Sequence, residues 1–301
     1  MTRRSAADAA LLTVAVAWGT TYLTTKHLVT PDTVVAVLAL RFAVAVTGLA
    51  VLAGRRVSRE HLRVGVPLGL LLSVIFALET FGVAHTSATN AGLVISLVIV
   101  LTPIVERAPV PPAFWAAMAT ALAGVVLLSQ GGGLRVPAAG DALMLAAAAV
   151  RAVQMTLLHR RVSGRDLDAS ALTLVQMAVV TVVTAVVAPF AGASPVTVAR
   201  SLGAADVAVL AYLAVVCTVF AFWVLSWAVP RTSASRAGLL LGSEPVWALL
   251  AGVALGGDRL APLSVLGAVL VLGGIEAGRR LEARGRRDRR VPDPLGPPPV
   301  A

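Results

Sequence analysis

The stretch TVVAVLALRFAVAVTGLAVLA, residues 33–53, carries a single ionisable side chain, Arg41. Wound as a helix at about 1.5 Å per residue, it covers the roughly 30 Å hydrocarbon core of a bilayer. It is one of many such runs. Working outward from it, similar stretches occupy 7–26, 64–84, 87–106, 111–129, 141–159, 168–189, 206–228, 236–255 and 260–278, which makes ten candidate spans. The connecting pieces are short and carry Gly, Pro or Arg, as in GRRVSREHLR (54–63), QGGGLRVPAAG (130–140) and HRRVSGRD (159–166). Composition agrees, with 58% hydrophobic and 13% charged residues and a mean hydropathy of +0.88. That is more apolar surface than the two soluble domains suggested by a length of 301 residues could bury. The expected fold class is an all-α polytopic membrane protein.

The net charge of +10 points to orientation and not to nucleic acid, because the arginines sit between apolar runs and in the tail. With the N-terminus inside, nineteen of the 25 basic residues fall on the cytoplasmic side: Arg3, Arg4, Arg55, Arg56, Arg59, Arg63, Arg107, Arg160, Arg161, Arg165, Arg231, Arg236 and the seven from Arg279 to Arg290. Only Lys26, Arg135, Arg200 and Arg259 fall outside. The bias requires an even number of spans and places both termini in the cytoplasm. The first run, long and followed by nine more, reads as a helix and not a cleaved signal peptide. Residues 1–6 form a cytoplasmic N-terminus, and 279–301, polar and Pro-rich, are expected to be disordered. Arginine in place of lysine and the Ala/Val-rich runs suggest a high-GC bacterium, hence a bacterial plasma membrane.

Chemistry-bearing motifs are sparse. Cys217 is the single cysteine, and His27, His61, His85 and His159 show no metal-binding spacing, so neither a metal nor a cofactor is expected. No Walker motif occurs, which excludes ATP hydrolysis by this chain. A membrane-embedded enzyme acting on lipids or isoprenoids is the competing class. It would need clustered acids or histidines at the membrane edge, and the sequence has none.

The two halves resemble each other. HTSATNAGL (85–93) parallels RTSASRAGL (231–239) at an offset of 146, and SAADAALLTVAVAW (5–18) parallels AAGDALMLAAAAVR (138–151), pairing Asp8 with Asp141 and Trp18 with Arg151. LALRFAV (38–44) parallels LTLVQMAV (172–179), with Arg41 against Gln176. The repeats are 7–134 and 135–278. With five helices each, an odd number, the second enters the membrane from the opposite side, an architecture of secondary transporters.

These residues also carry a family resemblance. WGTTYLTTK (18–26), LRF (40–42), TSATNAGLVISL (86–97), TSASRAGLLLGSEPVWALLAG (232–252) and LGAVLVLGG (266–274) are similar to EamA-type members of the drug/metabolite transporter superfamily, over nearly all of 8–280. The resemblance implies ten helices in two inverted five-helix repeats and a central cavity lined largely by helices 1, 3, 4, 6, 8 and 9. It also implies movement of amino acids, other metabolites or drugs, often outward, by alternating access. An importer of the same fold is the alternative direction. Two departures are the compact TPIVERAPVPPAF (102–114) between helices 4 and 5, and Gly257-Asp258 where the family usually has Gly-Glu.

Ionisable groups inside a bilayer cost about 2.5–3.5 kcal/mol on insertion scales, so they should face the bundle interior. Four lie well inside spans: Arg41, Glu79, Arg151 and Glu244. By depth, Arg41 and Glu79 are expected to pair, either as a clip between helices or as a site where Glu79 couples transport to protons. Two basic and two acidic groups suit a zwitterion such as an amino acid. Trp18, Thr21 and Tyr22 on helix 1, Asn90 on helix 4, Gln176 on helix 7, and Trp223, Trp227 and Trp247 on helices 8 and 9 are further cavity or packing candidates. Pro103 and Pro245 are candidate hinges, since proline removes a backbone hydrogen bond. The expected partners are a small-molecule substrate, the lipid bilayer and protons. A homodimer stays open at this point.

Overall fold

The computed structural model describes residues 3–53, 56–86, 88–129, 139–256 and 261–288. Asp258, Arg259, Arg135 and the tail from 289 onward lie outside them. The described residues form helices joined by short connections, without a strand, and their α-helices in order are α1 (Arg3–Gly19), α2 (Thr21–Leu28), α3 (Val34–Ala53), α4 (Arg59–His85), α5 (Ala88–Ile95), α6 (Val98–Glu106), α7 (Pro112–Ser129), α8 (Ala139–Val162), α9 (Ala169–Val187), α10 (Pro195–Ser201), α11 (Ala204–Ala214), α12 (Ala221–Ala228), α13 (Ala234–Leu241), α14 (Glu244–Gly256) and α15 (Pro262–Asp288). A wide π-helical turn, Val215–Phe220, joins α11 to α12.

Among the described residues, six helices are long and apolar enough to cross a membrane. Three further candidate spans, 7–26, 87–106 and 236–255, are each interrupted. The interruptions fall at Thr20, at Ser96-Leu97 and at Gly242-Ser243. The second and third are related by the same offset of 146 that aligns the sequences before them. The fourth, 111–129, corresponds to the shorter apolar helix α7.

Local chemistry explains several boundaries. Ser58 caps α4, its hydroxyl accepting from the His61 amide while the His61 ring reaches back to the Ser58 amide at 3.2 Å. Asp168 caps α9 through the Ala171 amide at 2.9 Å, and Ser233 caps α13 through the Arg236 amide at 3.1 Å. At its far end α15 departs from expectation, running ten residues past the last apolar span where a disordered tail was expected from 279. Glu276 pairs with Arg279 and Arg280 one turn on, and Glu282 is buried against α13, so this polar extension has partners that hold it helical.

Packing follows small residues. α7 and α15 lie closely side by side. A Cβ on Gly274 would come within 2.7 Å of the Ala117 carbonyl and the Ala121 amide, whereas one on the adjacent Gly273 meets nothing within 4 Å. Gly274→Ala is therefore expected to lower the thermal midpoint of the purified protein, by an overpacking cost of about 1–3 kcal/mol. Gly273→Ala should leave it unchanged in the same melting experiment. Many further contacts cross between the two halves of the chain: α1 packs on α12, α13 and α14, α8 packs on α4, α5 and α6, and α9 packs on α3 and α4.

Polar contacts gather many helix ends on one face. Asp8 at the start of α1 meets Arg236 and Arg279, and Ser235 binds Glu106 at the end of α6. Arg160 near the end of α8 donates to the Glu106 carbonyl, and Ser163 donates to that of Pro230. Arg165 pairs with Glu60, and Arg56 with Asp168. At the other ends of α4 and α8, the Thr86 hydroxyl donates to Asp141 at 2.6 Å.

Candidate functional site

The centre of the bundle is organised by an aromatic ladder. Phe42 and Phe76 meet edge to face at 4.6 Å between centroids, Phe76 reaches Phe222 at 5.4 Å, and Phe222 reaches Trp18 at 5.6 Å. Above it opens a cavity lined by Trp18, Thr21, Thr25, Arg41, Phe76, Glu79, Thr80, Val83, Arg151, Phe222 and Glu244. It is a cavity of about 30 Å³.

All four ionisable residues expected well inside spans reach this cavity, and their pairing differs from expectation. Glu79 is bound to Arg151 of α8 and not to Arg41, in an ion pair whose side chains are only about a tenth exposed. The Arg151 guanidinium also lies 4.5 Å from the centre of the Trp18 ring. Arg41 instead donates from Nε to the Thr218 hydroxyl at 2.7 Å and rests 5.3 Å from the Phe76 ring centre. Thr218 passes the bond on to the Leu213 carbonyl, five residues back, a reach set by the π-helical turn. Depth along a helix fixes how far apart two residues lie across the bilayer. It leaves open which way each faces, and that is what separates Arg41 from Glu79.

Glu244 is the first residue of α14, directly after the break at Gly242-Ser243. A carboxylate there faces the unpaired amides and positive dipole end of the helix. Pro245 follows at the second helical position, where a missing N–H disturbs nothing, so the bend precedes the proline. Pro103 lies inside α6, six residues beyond the break at Ser96-Leu97.

The remaining candidates divide. Trp18 and Thr21 line the cavity. Trp18 also donates its indole N–H to the Cys217 carbonyl at 2.9 Å, so its ring is fixed before any substrate arrives. Gln176 lies outside the lining, bridging α9 to α12 through Ser226 at 3.3 Å. Trp223 is 39% exposed and ties to Ser170 on α9 at 3.1 Å. Trp247 packs where a Gly19 side chain would be and donates to Ser243 at 3.1 Å. The side chains of Tyr22 and Asn90 fall outside those described.

Thr25, Phe76, Thr80, Val83 and Phe222 line the cavity without having been singled out. Helical periodicity could have found four of them: Thr25 is seven residues after Trp18, and Phe76, Thr80 and Val83 flank Glu79 on one face of α4. Thr25 lines the cavity, and its hydroxyl is buried with no hydrogen-bond partner among the described residues.

The sequence model of EamA-like transporters matches residues 5–130 and again 138–276. The chain belongs to the EamA-like transporter family. This EamA-like protein is 26% identical over 275 residues to an uncharacterized transporter of Archaeoglobus fulgidus, with 90% of this chain and 84% of that protein aligned. A protein of known crystal structure superposes with a TM-score of 0.74 at 19% identity, covering 93% of this chain and 99% of the other, which establishes the shared fold. Family membership and the long apolar helices together make the EamA-like chain a multi-pass membrane protein whose function is transport.

Proposed function

We propose that the chain is a secondary active transporter that exports small zwitterionic metabolites, amino acids above all, across a bacterial plasma membrane by alternating access. The observation that carries this reading is the convergence of Arg41, Arg151, Glu79 and Glu244 on one central cavity. Two cations and two anions leave the site formally neutral. A cargo with net charge would leave a buried charge uncompensated, which is costly in low dielectric. A zwitterion adds none: its carboxylate competes with Glu79 for Arg151, while its ammonium turns to Glu79 or Glu244. The outward direction follows the family resemblance, whose members often move solutes outward.

Ten spans in two inverted repeats, 7–134 and 135–278, underlie the mechanism. Each broken helix pair counts as one crossing. The exchange of contacts between halves supports the pairing, since the first helix of each repeat packs on the third and fourth helices of the other. The matching breaks at Ser96-Leu97 and Gly242-Ser243 support it too, and unwound backbone inside a membrane is tolerated where it borders a cavity. The face that gathers Asp8, Glu106, Arg160 and Arg236 is read as cytoplasmic by the arginine bias, which places both termini there.

A thermal-shift screen against amino acids, sugars, nucleosides and cationic drugs should show stabilisation by amino acids first. In proteoliposomes, flux of a hit should exceed that of its methyl ester or N-acetyl derivative at least tenfold. Equal flux of all three, or undiminished flux after Arg151→Gln or Glu244→Gln, would remove the zwitterion reading. Proton coupling through Glu79 is tested separately: an imposed pH gradient drives flux in the wild type and fails to do so in Glu79→Gln.

A further inference from the structure

We propose that Asp8, Arg236, Arg279 and Glu282 form an ionic latch that holds the cavity's mouth shut on one face of the bundle by fastening α13 to α1 and α15. Arg236, in the first turn of α13, grips Asp8 with both arms of its guanidinium, Nε to Oδ1 at 2.7 Å and Nη2 to Oδ2 at 2.5 Å. Arg279 of α15 adds a bond to the same carboxylate at 3.2 Å. Glu282 lies 3.8 Å from Arg236 and accepts from the Ser233 hydroxyl at 2.9 Å. Asp8 and Glu282 are both buried. A forked arginine–carboxylate pair is directional as well as charged, and burial shields it from salt. Glu106, at the end of α6, takes the Ser235 amide at 2.7 Å, so α1, α6 and α15 all converge on the first turn of one short helix. Three residues past the end of that helix lies Glu244, at the cavity. Releasing α13 would therefore open a path to the central charges.

The repeat shows what is particular about this end. Asp141 stands where Asp8 stands, at the start of the sixth span, but the position of Arg236 is taken by Asn90, which has no charge to offer. The Arg236–Asp8 fork thus has no counterpart at the repeat-related positions, and a carrier with unequal gates has a preferred resting side. This comparison rests on the inverted-repeat reading given above, while the latch contacts stand independently of it.

The test uses the full-length protein in liposomes, with Cys217→Ala and a single reporter, Thr80→Cys, labelled by a membrane-impermeant thiol reagent from either side. Arg236→Asn and Asp8→Asn should each speed labelling from the latch face at least tenfold. Arg236→Lys, which keeps the charge and loses the fork, should fall between them and the unsubstituted reporter protein, guarding against a general loss of fold. Unchanged labelling from the latch face in Arg236→Asn and Asp8→Asn would overturn the latch. Asn90→Arg should slow labelling from the opposite face. If it does not while Arg236→Asn still opens the latch face, the equivalence of the two mouths is overturned and the latch stands.

Discussion

Arg151→Met is expected to cost about 3–5 kcal/mol of stability and to abolish flux. The substitution strands the Glu79 carboxylate in a site from which water is largely excluded, and an unpaired buried charge is among the most destabilising consequences of a single change. The Trp18 ring also loses the cation lying 4.5 Å from its centre. The companion variant Arg151→Met with Glu79→Gln removes both charges, leaving a hydrogen-bonding amide of nearly the same shape. It should recover most of the lost melting temperature, because replacing a buried pair by neutral groups of similar volume is close to neutral for folding. It should not recover transport. Stability and flux should thus separate, as expected of a pair dispensable to the fold and needed for transport. A double variant that regains both would reduce Glu79–Arg151 to a clip between α4 and α8. A double variant as unstable as the single one would mean that Arg151 matters through packing on Trp18 and not through its charge.

Much of this bundle was legible from residues alone, for a physical reason. A span is a local property, so the run 33–53 became α3 over Val34–Ala53, and 168–189 became α9 over Ala169–Val187, almost unchanged. The burial of Arg41, Glu79, Arg151 and Glu244 was equally forced, since the bilayer leaves no cheap alternative. What hydropathy cannot see is interruption. Thr20, Ser96 and Gly242 fit an apolar helix as well as they fit a break in one, and the break depends on what packs beside it. Facing is also hidden. Arg41 and Glu79 share a depth, but Arg41 turns to the π-helical segment at Thr218, and no spacing rule announces a π turn in VVCTVF. Helix α10 was missed for a different reason. Ser194-Pro195 is a readable helix start, with the serine capping Val196 at 3.2 Å, but seven residues are too few to register against spans of twenty.

Gly242→Ala should disable the protein, and Ile99→Ala should rescue it. Gly242 closes α13 where that helix crosses α6, and an added Cβ would fall inside the van der Waals envelope of the Ile99 side chain. Ile99 has nowhere to retreat. It is fully buried in a cluster with Phe114, Ala117, Met118 and Leu239. The helices must then separate, and because Gly242 is two residues before Glu244, separation displaces a cavity carboxylate along with the packing. Overpacking of this kind costs about 1–3 kcal/mol. Ile99→Ala alone leaves a hole and should cost about 2–5 kcal/mol. Together the two changes exchange volume across one contact, so the double variant should be more stable than the sum of the singles predicts by about 0.5–3 kcal/mol, the range found for residues in direct contact. Melting of the four proteins measures that coupling, and flux through the double variant reports whether Glu244 has returned to the cavity. Strict additivity would mean that α6 and α13 are already apart at Gly242 in the membrane. Coupling in stability without recovery of flux would mean that the break at Gly242-Ser243 must itself move during transport, and that a methyl group there is enough to stop it.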